Sequence, residues 1–316
     1  MVSALKPTLP NLKNLPFGGA QAVQDLDVIS TIDHWSSQVQ LSAVLSDTTV
    51  VDEFLVRYQY WITNSIHNSL DITTFAVACY SQGTTEAFDK FYLRNHDRRF
   101  RCFRGEYMYH MASWRNYFPS WAWLEDADVE PNDAVVISLP FSDTGNEHVA
   151  MRDILTKCER LGVPVLIDCA YFGICREIRF AFDYECITDV TFSLSKSFPV
   201  AHARIGMRLT RVDDDDSMLV NQKTNYTNRI GAALGLDLIT KYHADHNVAR
   251  WHTTQLEFCR LLDLVPSQTV IFGIDTGARP EYNRGAATNR LCLSRYLPAG
   301  TLPENARTVD HDLNIL

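Results

Sequence analysis

The chain has 316 residues, of which 46% are hydrophobic and 21% charged, and this balance excludes a mainly disordered protein. Its net charge of −9 argues against a general nucleic-acid-binding or membrane-binding surface. No apolar run reaches the roughly 18 residues that span a bilayer, and the first residues lack the apolar segment of a signal peptide. We therefore predict a globular, cytoplasmic protein with no membrane or nucleic-acid partner.

The eight cysteines stand singly along the chain. Several lie inside apolar runs, as Cys79 and Cys169 do, and no C-x-x-C pair or metal-ligand spacing occurs among them. Buried, reduced cysteines are the expected outcome in a cytoplasmic protein. The sequence predicts no metal site.

The first predicted elements are an arm and a helix. Residues 1–45 carry several prolines and a Gly-Gly pair, which indicates an extended arm and a turn. Residues 51–66 then repeat apolar side chains at helical spacing and predict a helix that faces the core. Two tyrosines, Tyr58 and Tyr60, lie on this helix.

A short apolar run at residues 73–79 predicts a buried strand. Gly83, Thr84 and Thr85 follow it and open a helical pattern. Free N–H groups and the helix dipole make such a helix N-terminus a phosphate site. The alternative is an ordinary cap, in which a threonine caps the helix and Glu86 lies in its first turn.

Three further strands are predicted at residues 100–104, 134–139 and 163–167, and a helix at 146–161 joins the last two. Because strands and helices alternate, the expected fold class is α/β, with a mainly parallel sheet and helices on both faces. The carboxyl ends of parallel strands meet at one edge of a sheet. Polar residues that follow these strands are therefore expected to converge in one crevice.

Lys196 follows the next predicted strand, 189–194, and lies between Ser195 and Ser197. A lysine amine in a partly dry pocket is a nucleophile that condenses with an aldehyde. Arg204, eight residues further on, carries the fork of donors that matches phosphate oxygens. A solvated lysine in a surface turn is the alternative interpretation.

The segment from Ser193 to Gly206 resembles the lysine motif of the fold type I pyridoxal-phosphate aminotransferases, the group that includes histidinol-phosphate and aspartate aminotransferases. The resemblance implies that Lys196 forms a Schiff base with pyridoxal 5'-phosphate. It also implies that the cofactor is bound, mainly at its phosphate end, by Gly83, Thr84, Thr85, Ser193, Ser195 and Arg204.

Asp168 and Tyr171 resemble the family's D-x-A-Y motif. This implies that Asp168 pairs with the protonated pyridine nitrogen and that Tyr171 donates to the phenolic oxygen. A turn residue is the alternative for Asp168. An aromatic ring that stacks on the pyridine is expected at Tyr107, with Tyr109 as the second choice. Asp168, Tyr171 and Lys196 are the predicted catalytic residues.

The segment after the third predicted strand departs from the family's N-P-x-N-P-T-G. Pro140 and the Thr-Gly pair match it, whereas Ser142 replaces the second asparagine and Asp143 replaces a proline. In the family that asparagine hydrogen-bonds the cofactor's phenolic oxygen, and serine offers a shorter donor. We therefore predict that Ser142 binds the cofactor and alters its electronic properties.

The acidic run 213–216 predicts a solvated loop and a domain boundary. Beyond it, residues 230–264 read as long helical segments. Two strands at 269–274 and 290–293 then complete a smaller α+β domain. The C-terminal third of the chain is therefore predicted to form a separate lobe.

The resemblance implies that Arg290, with Arg295 as the fallback, begins a strand and binds the substrate carboxylate. The predicted large cofactor-binding domain is 46–210. The N-terminal arm and the small C-terminal domain are formed by 1–45 and 211–316. These boundaries place the substrate arginine on the small domain.

By this resemblance the expected activity is amino-group transfer between a small-molecule amino donor and a keto acceptor, neither of which the sequence identifies. The resemblance also implies a homodimer in which Tyr58 or Tyr60 reaches the partner's cofactor phosphate. Two alternatives stay open. One is a lyase, decarboxylase or racemase that uses the same cofactor, and the other is a non-catalytic binding or regulatory protein of this fold.

Overall fold

The computed structural model describes residues 15–213 and 216–303, without the side chains of 114–116. Residues 1–14 of the predicted arm, residues 214–215 of the acidic run and residues 304–316 of the predicted small domain lie outside the described residues. The helices are α1 Leu26–Gln38, α2 Leu41–Ser46, α3 Val50–Thr63, α4 Thr84–Arg94, α5 Met108–Tyr117, α6 Met151–Leu161, α7 Ser217–Lys223, α8 Arg229–Lys241 and α9 His246–Leu262. Short 3-10 turns are Phe172–Ile174, Ala201–Ala203 and Pro280–Tyr282.

The strands of the described residues form one large sheet and two small ones. They are β1 Ser69–Asp71, β2 Val77–Ser81, β3 Arg99–Cys102, β4 Ser120–Trp123, β5 Asp133–Ser138, β6 Val165–Asp168, β7 Arg179–Ala181, β8 Ile187–Ser193, β9 Gly206–Thr210, β10 Val265–Pro266, β11 Phe272–Asp275 and β12 Asn289–Cys292. The large sheet has the order β2-β9-β8-β6-β5-β3-β4. Its strands from β8 to β4 pair in parallel, and β9 pairs antiparallel with β8 and β2. The predicted α/β fold with a mainly parallel sheet is confirmed.

Helices cover both faces of this sheet because the buried residues of its strands alternate between two cores. Successive side chains of a strand point to opposite faces. Ala134 and Val136 of β5 belong to an apolar cluster with the aromatic residues of α4. Val135 and Ile137 belong to the largest cluster, which α3, α6 and α8 share. Every position of β5 is buried, as expected for a central parallel strand.

Helix α8 follows the predicted boundary at residue 210 and packs on the core of the large sheet. Its Ala232 and Leu238 lie in the same cluster as the residues of α3. The two helices approach closely at Gly235, where a Cβ atom would lie 2.7 Å from the ring of Phe54. The acidic run therefore does not separate α8 from this core, and the division into two domains at residue 210 stays a prediction. Asp216, at the end of that run, caps α7.

The small lobe consists of α9 and the antiparallel sheet β10-β11-β12. Its apolar cluster also includes Phe17 from the N-terminal segment and Tyr171 from the loop after β6. The N–H of Cys292 in β12 donates to the carbonyl of Phe17 at 2.8 Å. The N-terminal segment is therefore tied to the strand that carries Arg290.

The eight cysteines are buried and free, as predicted. Within the part of the chain that the structure describes, no helix has the length and apolar character needed to cross a membrane. The same residues contain no group of three or more histidine, cysteine or acidic side chains arranged to hold a metal ion.

Candidate active site

A cavity of about 810 Å³ opens where the carboxyl ends of β5, β6 and β8 meet. Its volume is in the range that holds a cofactor or a drug-sized ligand. The predicted site residues on its wall are Thr84, Thr85, Tyr107, Ser142, Asp168, Tyr171, Ser193, Ser195, Lys196, Arg204, Arg290 and Arg295. The structure thus brings into one cavity residues that lie far apart in the sequence.

One end of the cavity is the N-terminus of α4. Gly83 is the N-cap residue, and no side chain caps the helix there, so the alternative of a threonine cap is not observed. Nη2 of Arg204 donates to the carbonyl of Gln82 at 2.8 Å and to Oγ1 of Thr85 at 3.1 Å. The guanidinium therefore lies across the open N–H groups of the helix, where an anion binds favourably.

Gly83 makes this arrangement possible. Its φ is +72° and its ψ is −170°, a combination that is essentially restricted to glycine. A Cβ atom at this position would lie 2.1 Å from Nη2 and 2.7 Å from Cζ of Arg204. A side chain at residue 83 would thus occupy the space of the guanidinium.

Two serines complete this end of the cavity. The hydroxyl groups of Ser193 and Ser195 lie 2.8 Å apart, and the N–H of Ser195 donates to Oγ of Ser193 at 3.1 Å. Both residues are on the cavity wall next to Lys196. Together with Arg204, they offer hydroxyl and guanidinium donors to an anionic group.

The amine of Lys196 lies under the N-terminal segment. Its Nζ donates to the carbonyl of Ala20 at 2.6 Å. The adjacent Gly18, Gly19 and Gln21 also line the cavity. The turn at 17–20 therefore forms part of the cavity wall and keeps the amine close to the opening.

Asp168 ends β6 and is almost fully buried. Burial, and after it the charge of Glu106, raise the pKa of Asp168 to about 8, while the hydrogen bond from the N–H of Ala170 and the charge of Lys196 act to lower it. Oδ1 accepts a hydrogen bond from that N–H at 3.0 Å. A carboxyl group in this position ionises near neutral pH when a cation lies beside it.

Glu106 is a buried acid that the sequence did not single out. Its carboxylate accepts from the N–H of Ser138 at 2.7 Å and from the Ser138 hydroxyl at 2.5 Å. Ser138 of β5 is the register partner of Asp168 in β6. Burial raises the pKa of Glu106 to about 7, although the two hydrogen bonds from Ser138 act to lower it. Two acids with raised pKa values therefore flank one serine.

The opposite side of the cavity carries two arginines. Nη1 of Arg290 donates to the Ser142 carbonyl and to the Tyr171 hydroxyl, the latter at 3.2 Å. Nη1 of Arg284 donates to the Ser142 carbonyl at 2.8 Å and to its Oγ at 3.3 Å. Arg295, the fallback for the substrate arginine, is exposed at the cavity wall.

The structure distinguishes between the two candidate stacking rings. Tyr107 lines the cavity. Tyr109 is held elsewhere, because its hydroxyl donates to the carboxylate of Asp89 at 2.8 Å and 2.9 Å. Of the two predicted tyrosines, Tyr107 is therefore the one on the cavity wall.

Tyr58 does not have the predicted position. Its side chain is 1% exposed, and its ring packs 5.3 Å from that of Phe54 and 5.7 Å from that of Trp61. A residue in the core of its own chain cannot reach a partner subunit, so the prediction of Tyr58 as a phosphate ligand is wrong. Tyr60, two residues on, points outward and is 57% exposed.

Sequence reasoning missed Glu106 and Arg284. Glu106 directly precedes Tyr107, and Arg284 lies in an Asn-Arg-Gly turn six residues before Arg290. Neither has a spacing or periodicity that marks it. The only signal in the sequence was that both residues lie close to predicted site residues. Such closeness in sequence does not tell whether a charged side chain is buried or exposed.

Comparisons with known proteins show the fold. No family model matches the chain, and no curated protein sequence matches it significantly. A tyrosine aminotransferase from Leishmania infantum superposes with a TM-score of 0.64 at 14% identity over 97% of each chain. An aromatic aminotransferase from Pyrococcus horikoshii OT3 gives 0.63 at 13% identity over 89% of this chain and 92% of that chain. A PLP-bound C-S lyase from Staphylococcus hominis gives 0.59 at 12% identity over 88% of each chain.

These structures are aminotransferases and a lyase of the pyridoxal-phosphate-dependent class. The chain has the fold type I architecture of that class. At identities of 12–14% the likeness concerns the fold alone.

Proposed function

We propose that the protein is a pyridoxal-phosphate-dependent aminotransferase. The observation that supports this most is the convergence of Lys196, Asp168 and Arg204 on one cavity. When bound, pyridoxal phosphate supplies an aldehyde that condenses with amines and a ring that withdraws electrons. The remaining steps depend on residues of this chain.

The residues present fit the cofactor. Arg204 and the open N-terminus of α4 match a phosphate group, and Gly83 leaves the space that this arrangement needs. Asp168, whose pKa is raised to about 8, matches a cationic ring nitrogen that stabilises its ionised form. Tyr107 and Tyr171 supply a ring face and a hydroxyl donor on the same wall.

Lys196 has two roles in this proposal. Its Nζ would hold the cofactor covalently while no substrate is bound. As a free amine, Nζ would accept the α-proton of the substrate and return it as a general acid. The carbonyl of Ala20, 2.6 Å from Nζ, offers an acceptor that holds the freed amine near the reaction.

Arg290 is the proposed ligand of the substrate carboxylate. Its guanidinium is buried in the cavity wall, and its Nε has no acceptor among the described residues. The substrates are a small-molecule amino donor and a keto acceptor. The structural likeness to a C-S lyase supports a second candidate, cleavage of the substrate side chain with the same residues.

The first prediction tests the cofactor. Purified protein incubated with pyridoxal phosphate should bind it covalently and give a visible absorption band, and Lys196→Ala should abolish that band. Lys241→Ala, which removes an exposed lysine on α8, is the matched control and should leave the band unchanged. Protein that takes up no cofactor, or an unaltered band in Lys196→Ala, would refute the proposed function.

The same spectrum separates the two reactions. A panel of amino acids is added to the coloured protein without a keto acceptor. Amino-group transfer converts the cofactor to its amine form and bleaches the band, with a keto acid as the product. Side-chain cleavage releases a thiol or another leaving group and leaves the band in place at the end of the reaction.

We further propose that the active unit is a homodimer. Val56 and Tyr60 lie one helical turn apart on α3, and both are exposed. Leu41 and Leu45 form a similar exposed pair on α2. A second copy of the chain would cover these side chains and bring Tyr60 to its neighbour's cavity.

The second prediction tests this shared site. Tyr60→Phe should be inactive alone, as Lys196→Ala is, because each active site would need a tyrosine from the neighbour. Mixing the two variants should restore about a quarter of the wild-type rate, since half of the dimers would contain one intact site. No recovery after proven subunit exchange, full activity of Tyr60→Phe, or a monomer at assay concentration would contradict the prediction.

A further inference from the structure

Two arginines of the small lobe, Arg284 and Arg290, enter the cavity together. Arg290 belongs to β12, and Arg284 lies in the loop before that strand. Their exposed fractions are 6% and 4%, respectively, although both line the cavity wall. Each guanidinium is therefore shielded from bulk water and faces the space that a substrate would fill.

The two guanidiniums converge on one oxygen atom. Nη1 of Arg284 and Nη1 of Arg290 both donate to the carbonyl of Ser142. Two donors on a single acceptor lie within about 6 Å of each other. We call Arg284 and Arg290 the arginine pair.

The pair lacks a close anionic partner. Its other acceptors are the hydroxyl groups of Ser142 and Tyr171 and the carbonyl of Glu106. Within residues 15–213 and 216–303, no carboxylate lies within 4 Å of either guanidinium. Burial, followed by the charge of Arg290, lowers the pKa of Arg284 to about 10.

Two acids lie further from the pair. Asp143 is fully buried, its Oδ2 accepts from the Thr288 hydroxyl at 2.8 Å, and burial raises its pKa. The carboxylate of Glu106 is engaged by Ser138, and burial raises its pKa to about 7. Neither carboxylate is therefore within ion-pair distance of the arginine pair, although the charges of both acids raise the pKa of Arg284.

Arg101, a buried arginine outside the cavity, has a different set of hydrogen-bond partners. Arg101 is fully buried and donates to Asp133 at 2.5 Å. Its guanidinium also donates to the backbone carbonyls of Ala122, Trp123, Ala127 and Asp128. The pair, by contrast, leaves Nε of Arg290 without any acceptor in the described residues. This donor is therefore left for a ligand.

We propose that the arginine pair binds a small dianion, an amino acid that carries a second acidic group close to its α-carboxylate. A single carboxylate neutralises one buried guanidinium and leaves the other uncompensated, whereas two acidic groups neutralise both. Since the two guanidiniums are close, the two acidic groups must also be close. The proposal rests on the proposed function and adds a substrate class to it.

The experiment compares malonate with acetate on the cofactor-loaded protein, in which pyridoxal phosphate fills the phosphate end of the cavity. Affinities are measured by calorimetry at constant pH and ionic strength. Malonate should bind at least about 10-fold more tightly than acetate. Arg284→Gln should reduce this preference to about 3-fold or less. Arg260→Gln, which removes an exposed arginine of α9 that does not line the cavity, is the matched control and should retain the preference.

Equal affinity of the wild-type protein for malonate and acetate would overturn the proposal without any variant. A full malonate preference in folded Arg284→Gln would also overturn it. If Arg284→Gln does not fold, Arg284→Lys takes its place. It keeps the charge but loses the planar fork of donors, and a preference that falls at least about 3-fold supports the pair, whereas an unchanged preference contradicts it.

Failure of this proposal differs from failure of the proposed function. A protein that forms the Lys196-dependent absorption band but shows no malonate preference refutes the arginine pair alone. A protein that forms no band refutes the proposed function. In that case a malonate preference that depends on Arg284 still supports a dianion site.

Discussion

Asp168→Asn should lower turnover by about 100-fold while cofactor affinity stays within a few-fold of the wild-type value. The two side chains have the same shape, and an asparagine oxygen can still accept the hydrogen bond that Oδ1 takes from Ala170 at 3.0 Å. The variant loses the negative charge that would face a cationic ring nitrogen. A hydrogen bond to a charged group contributes about 1.5–3 kcal/mol, which corresponds to roughly 10- to 150-fold in rate.

Cofactor affinity should change little because the groups at the phosphate end are untouched. Arg204 lies at the N-terminus of α4, and Ser193 lies at the end of β8. Turnover is measured in single-turnover absorbance experiments and affinity by equilibrium dialysis. Asp71→Asn, which removes an exposed carboxylate at the end of β1, is the control for a general effect of charge. Near-normal turnover in folded Asp168→Asn would show that Asp168 has no electronic role.

The sequence predicted the sheet well because buried parallel strands carry a local signal. The runs that became β5 and β6 are continuous apolar segments, whereas β8 mixes apolar and polar residues. Each of the three strands ends in, or is followed by, a polar residue that lies on the cavity wall. Parallel pairing then places these residues at one edge of the sheet. Ser142, Asp168 and Lys196 could therefore be grouped from the sequence alone.

The incorrect prediction for Tyr58 came from the resemblance, which offered either Tyr58 or Tyr60 as the phosphate ligand. Helical periodicity by itself places Tyr58 with Phe54 and Leu55 on the core-facing side of the helix, and the structure shows it there. This side is covered by α8, which packs against α3 and shares its apolar cluster. A long-range contact of this kind leaves no local pattern in the sequence.

The arginine pair and the burial of Glu106 could not be predicted from the sequence, for a related reason. Arginine and glutamate occur mostly on protein surfaces, so their presence in a loop predicts exposure. The fold buries both: the loop before β12 brings Arg284 within 2.8 Å of the Ser142 carbonyl, and Glu106 is buried against Ser138 of β5. Functional charges of this kind become visible only when the surrounding fold is known.

Gly83→Ala should reduce the affinity for pyridoxal phosphate by about 100-fold while the protein stays folded. The backbone of residue 83, with φ +72° and ψ −170°, is strained for alanine, and such strain costs about 1–3 kcal/mol. The new methyl group would also lie 2.1 Å from Nη2 of Arg204. The guanidinium would have to leave its acceptors at Gln82 and Thr85, and the phosphate site would lose its cation.

Gly162→Ala is the matched control for this prediction. Gly162 also has a positive φ, +63°, at the end of α6, but a Cβ atom there would have no neighbour within 4 Å. Both variants should lower the unfolding temperature, whereas only Gly83→Ala should weaken cofactor binding in a spectroscopic titration. Equal cofactor affinities for the two variants would mean that Arg204 and the N-terminus of α4 do not form the phosphate site. A selective loss in Gly83→Ala would assign the phosphate group to the space that this glycine keeps open.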